Sequence, residues 1–160
     1  MKKTMRKLLC ELLKDSKRSD RKLAKVLGVS QATVSRMRNK LVKDGMIQEF
    51  TILPDFPKMG YEIMAISLAQ TKMGPEIEEK AKKYMNKHPN VIFVARAEGM
   101  GKNGLMISLH KDYADYSHFF MNHLVYWRDI IENHEEILVS LKGPFVKPFS
   151  LRYLAEREET

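Results

Sequence analysis

Cysteine is almost absent from this chain of 160 residues: Cys10 stands alone, placed among leucines as a core residue would be. One thiol excludes an internal disulfide framework and a thiolate-only zinc site. Long apolar runs are missing as well. The longest span a handful of residues, far short of the roughly 20 that a membrane-spanning helix needs. The start, Met1-Lys2-Lys3-Thr4-Met5-Arg6-Lys7, has a basic flank but no apolar core behind it, so no signal peptide is expected. His88, His110, His118, His123 and His134 make no His-x-x-x-His arrangement, and no Cys-x-x-Cys occurs, so no metal site is expected. With 44% apolar residues the composition is that of a globular protein. The length allows one ordinary domain or two small ones, and these bounds point to the cytoplasm.

Acidic residues are scarce in one region only. Residues 1–50 carry 14 basic and 5 acidic side chains, an excess of nine, whereas residues 51–160 carry 14 and 15. The whole surplus of positive charge therefore lies in the first third. Such a stripe attracts phosphate backbones or anionic lipid surfaces, and its bland alternative is a solvated basic helix.

Three helical patterns follow one another in this third. Leu8, Leu9, Leu12 and Leu13 recur at helical spacing in the first. Ser19 can cap a second helix, with Asp20 favourable in its first turn, and Leu23, Ala24 and Leu27 form the buried stripe. Gly28 stops it, because glycine tolerates the left-handed backbone of a sharp exit. Ser30 caps a third helix from Gln31 to about Asp44, striped by Val34, Met37 and Leu41 and ended by Gly45. Two helices joined by a tight glycine turn make a helix-turn-helix, in which the small Ala24 lets the helices approach closely.

The third helix is the candidate reading helix. Residues near the N-terminus of such a helix reach base edges, which singles out Gln31, Ala32, Thr33, Ser35 and Arg36. Lys22, Lys25, Ser30, Asn39, Lys40 and Lys43 are the candidate phosphate partners. The alternative is an ordinary three-helix bundle with a solvated polar face. Motif and charge agree on double-stranded DNA.

Met46 to Leu53 reads as a strand leaving the helical unit, and Pro54-Asp55-Phe56-Pro57 as a hinge. Beyond it come a strand over Tyr61–Thr71 with Met64, Ile66 and Leu68 on one face, and a helix from Gly74-Pro75 to about Lys87. A strand over Val91–Ala97, a glycine-rich loop over Gly99–Gly104 and a strand over Leu105–His110 follow. A helix carrying Tyr113, Tyr116, Phe120 and Leu124 precedes a last strand over about Ile130–Leu141. The order is that of a ferredoxin-like βαββαβ domain, with both helices on one face of an antiparallel sheet. The other face needs cover, and a second copy of the domain is the simplest candidate. The fold class expected is therefore α+β: an N-terminal, winged-helix-like helix-turn-helix over 1–48, a linker strand and hinge over 49–60, the ferredoxin-like dimerisation domain over 61–142, and an extension over 143–160. The aromatics Tyr113, Tyr116, Phe119, Phe120, Tyr126 and Trp127 are read as core and dimer packing.

This succession resembles the Lrp/AsnC family of transcriptional regulators over roughly residues 4–142. The most specific stretches are Arg21-Lys22-Leu23-Ala24-Lys25-Val26-Leu27-Gly28-Val29-Ser30, Leu41-Val42-Lys43-Asp44-Gly45-Met46-Ile47 and Met59-Gly60-Tyr61. The resemblance implies a homodimer, often assembled further into tetramers or octamers, on pseudo-palindromic promoter DNA. It also implies a small-molecule effector, for which the matching loop is Gly101, Lys102, Asn103 and Gly104. The family's Gly-Asp-x-Asp is there replaced by a run with no carboxylate to pair with an ammonium group. Mid-reading-helix, the family usually has an arginine followed by an aliphatic residue, whereas here Met37 precedes Arg38. The segment after Gly143, with Pro144, Pro148 and a short helical Leu151-Arg152-Tyr153-Leu154, reads as a strap or an oligomer contact.

No cofactor and no catalytic residue are expected. Siroheme decarboxylases resemble this architecture, but Asn103-Gly104-Leu105-Met106-Ile107 lacks the aromatics of their Asn-x-Trp-Phe-Thr run. A chromosome-organising protein of weak sequence preference fits the charge and the fold equally well.

Overall fold

Capping and periodicity account for most of the elements in the computed structural model, which describes residues 2–158. They fall into two units: the chain up to Leu53 together with that from Phe145 onward, and Pro54–Pro144.

The first unit opens with α1 (Lys3–Lys14), α2 (Asp20–Leu27) and α3 (Gln31–Lys43). The Ser19 side chain accepts from the Lys22 amide, and the Ser30 side chain from the Thr33 amide, so each helix starts where its serine supplies the missing acceptor. Gly28 ends α2 at φ 66°, a left-handed turn that a side chain would strain. Leu8, Leu23, Val34 and Leu41 are fully buried and weld the three helices into one core, with Met37 packed against it. Cys10 is buried.

One expectation fails in this unit. Residues 46–53 form no strand: the Met46 and Ile47 amides bond to the Leu41 carbonyl, and none of the described residues pairs with the segment as a strand. A wing hairpin is accordingly absent among the described residues. The C-terminal extension, read from sequence as a strap or an oligomer contact, carries α6 (Arg152–Glu158), which packs on α1, burying Ala155 completely, and Arg6 pairs with Glu158.

The second unit is β1 (Ile63–Thr71), α4 (Pro75–Met85), β2 (Val91–Gly99), β3 (Lys102–His110), α5 (Tyr113–Trp127) and β4 (Ile131–Ser140). Its sheet has the order β2-β3-β1-β4, antiparallel throughout, as a ferredoxin-like fold requires. Alternation along the strands sorts the side chains. Ala65 and Ser67, opposite Ser108 and Met106, are buried beneath the helices. Ile66 aligns with Ile107 and Ile137, and Phe93 with Ile107, on the opposite face. There Phe93 and Ile137 are each 52% exposed, so this part of the apolar face has no cover among the described residues of its own unit. Of the aromatics, Tyr116 and Trp127 are core residues, whereas Tyr113 and Tyr126 are exposed.

Glu136 is an awkward tenant of the helix-side face. Ser67 Oγ donates to its Oε2 at 2.9 Å, while Oε1 is buried without a partner among the described residues. Burial pushes its pKa up to about 7, against the hydroxyls of Ser67 and Tyr116, which lower it. Because the folded pKa lies above the ordinary value of 4.5, the unfolded chain releases this proton first as pH rises. Stability from this group is thus full below pH 4.5 and lost by about pH 7. Glu136→Gln should abolish that loss, giving a melting temperature that gains on the parent's as the pH is raised through this window. Parallel curves would show that Glu136 titrates normally.

Candidate nucleic-acid interface

The helix-turn-helix presents α3 because α2 braces it. Arg38 Nε and Nη2 donate to Asp20 Oδ1 at 3.1 and 2.8 Å, and Nη2 also reaches the Arg18 carbonyl at 3.3 Å. Arg38 is therefore a brace between α3 and the start of α2, while Met37 turns into the core. The family's usual arginine–aliphatic order is reversed without moving the apolar seam Val34–Met37–Leu41. Glu11, buried in α1, is paired with Lys14 and Arg18. Cations that face inward are thus already neutralised.

The outward face keeps its charge. Gln31, Ala32 and Arg36 are exposed, and Arg36 enters no ion pair among the described residues. The Thr33 hydroxyl is tied to Ser30 Oγ at 2.8 Å and Ser35 is half-buried, so of the expected base readers these two are the less available. Among the expected phosphate partners, Lys22, Lys25, Asn39 and Lys43 are exposed. Ser30 is spent on its cap, and Lys40 Nζ lies 2.9 Å from Asp44 Oδ2. That exposed pair is worth about 0–1 kcal/mol, so a phosphate can replace it. Arg21, exposed in the first turn of α2, lies outside the expected set and adds a cation beside Lys22. Its signal was in the sequence: a basic residue one place before Lys22 on a short helix.

The expected effector loop takes a different form. Gly99 pairs with Lys102 across a two-residue turn whose Met100 and Gly101 both have positive φ, 54° and 69°. That is a tight hairpin of the type in which both turn residues are left-handed. Lys102, Asn103 and Gly104 belong to β3 and not to a loop. The Lys102 side chain is buried, with Nζ 3.0 Å from Glu135 Oε1. The Asn103 amide accepts from the Thr71 amide at 2.9 Å and donates to the Thr71 carbonyl at 2.7 Å. Asn103 ties β3 to the neighbouring β1, and Lys102 reaches past β1 to a side chain of β4.

Among the described residues no helix is long and apolar enough to cross a membrane, and no cluster of histidine, cysteine and carboxylate side chains could hold a metal ion.

The winged helix-turn-helix DNA-binding family matches residues 1–48. The HTH-type transcriptional regulator PH0061 of Pyrococcus horikoshii is 32% identical over 132 residues, covering 81% of this chain and 85% of the relative. Its crystal structure superposes with a TM-score of 0.79 at 28% identity, covering 94% of this chain and 97% of that one. An AsnC family regulator from Agrobacterium tumefaciens gives 0.79 at 22% identity, covering 96% and 99%. The Neisseria meningitidis regulator NMB0573, solved with L-methionine, gives 0.80 at 17% identity, covering 96% and 99%. Similar to PH0061 along most of both chains and alike in fold to AsnC regulators, the chain belongs to the Lrp/AsnC family of DNA-binding transcriptional regulators.

Proposed function

We propose that the chain acts as a homodimer that reads two-fold-related duplex sites, with α3 of each copy in a major groove. The observation that carries this reading is the division of labour on α3. Arg38 is consumed by Asp20, while Gln31 and Arg36 are left open toward solvent at the end of the helix that enters the groove. Gln31 suits adenine, Arg36 guanine, and Lys22, Lys25 and Lys43 phosphates. No catalytic step belongs to this reading. Asn103, which falls near the asparagine of the decarboxylases' Asn-x-Trp-Phe-Thr run, is engaged by Thr71.

Sheared genomic DNA retained on the protein at about physiological salt, then sequenced, tests this, since salt sets the competition with non-specific binding. Enrichment of a few promoters sharing a two-fold-related motif is expected. On that motif Arg36→Ala should lose about 1–3 kcal/mol of binding, and on random duplex much less. Uniform retention, with Arg36→Ala equally weak everywhere, would replace the specific regulator by a chromosome-organising protein.

Dimerisation through the open sheet face supplies the missing cover for Ile66, Phe93, Leu105 and Ile137. The exposed Phe50, Ile52 and Leu53 of the unpaired linker suit pairing with the same segment of the second copy. Ile66→Asp should convert a sedimenting dimer into a monomer of 18.6 kDa. A dimer that persists unchanged would place the interface elsewhere.

A further inference from the structure

Between the sheet and α4 the second unit forms a cavity, open on one side, of about 310 Å³. Its origin lies in the placement of the helices and in small residues. α5 packs closely on β1 and β3, whereas α4 makes no comparable approach to any strand. Ala69 and Gly104 face it from the sheet and Ala81 from α4. Gly104 is not required by backbone or packing: its φ is not positive, and a Cβ built there meets nothing nearer than the Ala69 carbonyl at 3.7 Å. The missing side chain leaves room in the cavity.

Ile77, Met85 and Met106 make the walls apolar. Deeper in, His123 and Trp127 line the cavity, 7% and 4% exposed, and each keeps one ring nitrogen without a hydrogen-bond partner among the described residues. Buried polar groups are rarely left so, because each unmade bond costs about 1–3 kcal/mol. The mouth is cationic. Lys72, Lys82 and Arg96 stand there against the single carboxylate of Glu78, which Arg96 already engages. Lys72 donates to the Asp129 carbonyl, and Lys82 enters no ion pair among the described residues.

We propose that this cavity, formed within a single subunit, binds a small carboxylic acid with an aryl or branched aliphatic body, its carboxylate held at the Lys82 mouth. The volume is at the small end of the roughly 300–1,000 Å³ of small-molecule sites, and apolar walls with few polar groups are their usual make-up. Three cations against one carboxylate at the mouth disfavour an ammonium group there. The inference goes beyond the DNA-binding reading and does not depend on it.

Trp127 is the chain's one tryptophan, so its fluorescence reports on the cavity directly. The full-length protein, without DNA, is titrated with 3-phenylpropanoate, with 3-phenylpropanamide and with L-phenylalanine. A saturable change in Trp127 emission is expected with the acid, weaker with the amide and weakest with the amino acid. Gly104→Val fills the space and should weaken binding at least tenfold; Ala81→Leu does so from the opposite wall and serves if the first variant misfolds. Lys82→Gln should weaken the acid about 2–5-fold, the scale of an exposed ion pair, and leave the amide unchanged. No saturable change with any probe, or undiminished affinity in the filled variants, overturns the site. An amide as tight as the acid overturns the carboxylate, and preference for L-phenylalanine overturns the ligand class.

Discussion

Raising the salt from about 50 to about 200 mM should weaken DNA binding by about 10³–10⁵-fold, the scale expected when about 6–10 phosphates are neutralised. The surplus of nine positive charges in residues 1–50 says only that the effect has the right sign. The structure shows which of them are free to act. Arg18, Arg38 and Lys14 are already paired inside the helical unit. Arg21, Lys22, Lys25 and Lys43 are exposed and enter no ion pair among the described residues, four in each copy and eight in a dimer. Each one bound to a phosphate releases a counterion, and the logarithm of affinity falls by about 0.9 per contact per decade of salt. Lys43→Gln should therefore lower the slope by about two in a dimer, equally on specific and random duplex. A slope near zero would move the binding energy from phosphates to bases and leave the basic face without a role.

Leu41→Ala should destabilise the helical unit by about 2–5 kcal/mol. Leu41 is completely buried, and it is the residue through which the C-terminal half of α3 joins the core of Leu8, Leu23 and Val34. Small domains hold only about 5–15 kcal/mol in all, so this loss is a large fraction of what keeps α3 in place. The ferredoxin-like unit has its own core, and its Trp127 reports on that unit alone. Melting followed by far-ultraviolet circular dichroism should then show an early helical transition that Trp127 emission does not follow, together with lost DNA binding at the temperature where the parent still binds. One shared transition at the parent's temperature would mean that Leu41 is not the keystone of this core.

What was legible in the sequence was local chemistry. Ser19 and Ser30 announce their helices because a cap bond spans three residues, and Gly28 announces an end because one backbone angle demands it. The strands of the second unit were readable from alternation, with boundaries a few residues off. Asn103 and Gly104 are the instructive case: a cluster of glycines suggested a loop, but two turn residues suffice and the strand begins at Lys102. Partnerships across distance were not legible. Arg38 and Asp20 are 18 positions apart, and nothing in either neighbourhood says that a charge on the reading helix is spent on a brace. The linker reads as a strand by composition, yet strand formation depends on a neighbour that composition does not supply. The cavity arises from the absence of side chains at Gly104, Ala69 and Ala81, and only a three-dimensional arrangement turns three small residues into one void.

The docking of α6 on α1 also sets an order of events during synthesis. Residues 145–158 leave the ribosome only after the whole of Pro54–Pro144, whose 91 residues take on the order of 5–20 seconds at ordinary elongation rates. During that interval α1 to α3 are out and able to fold, but the surface that receives Ala155 is bare. The sheet unit therefore has its full sequence, and the opportunity to meet a second nascent chain, before the DNA-reading unit is finished. In this chain, completion of the reading head comes last.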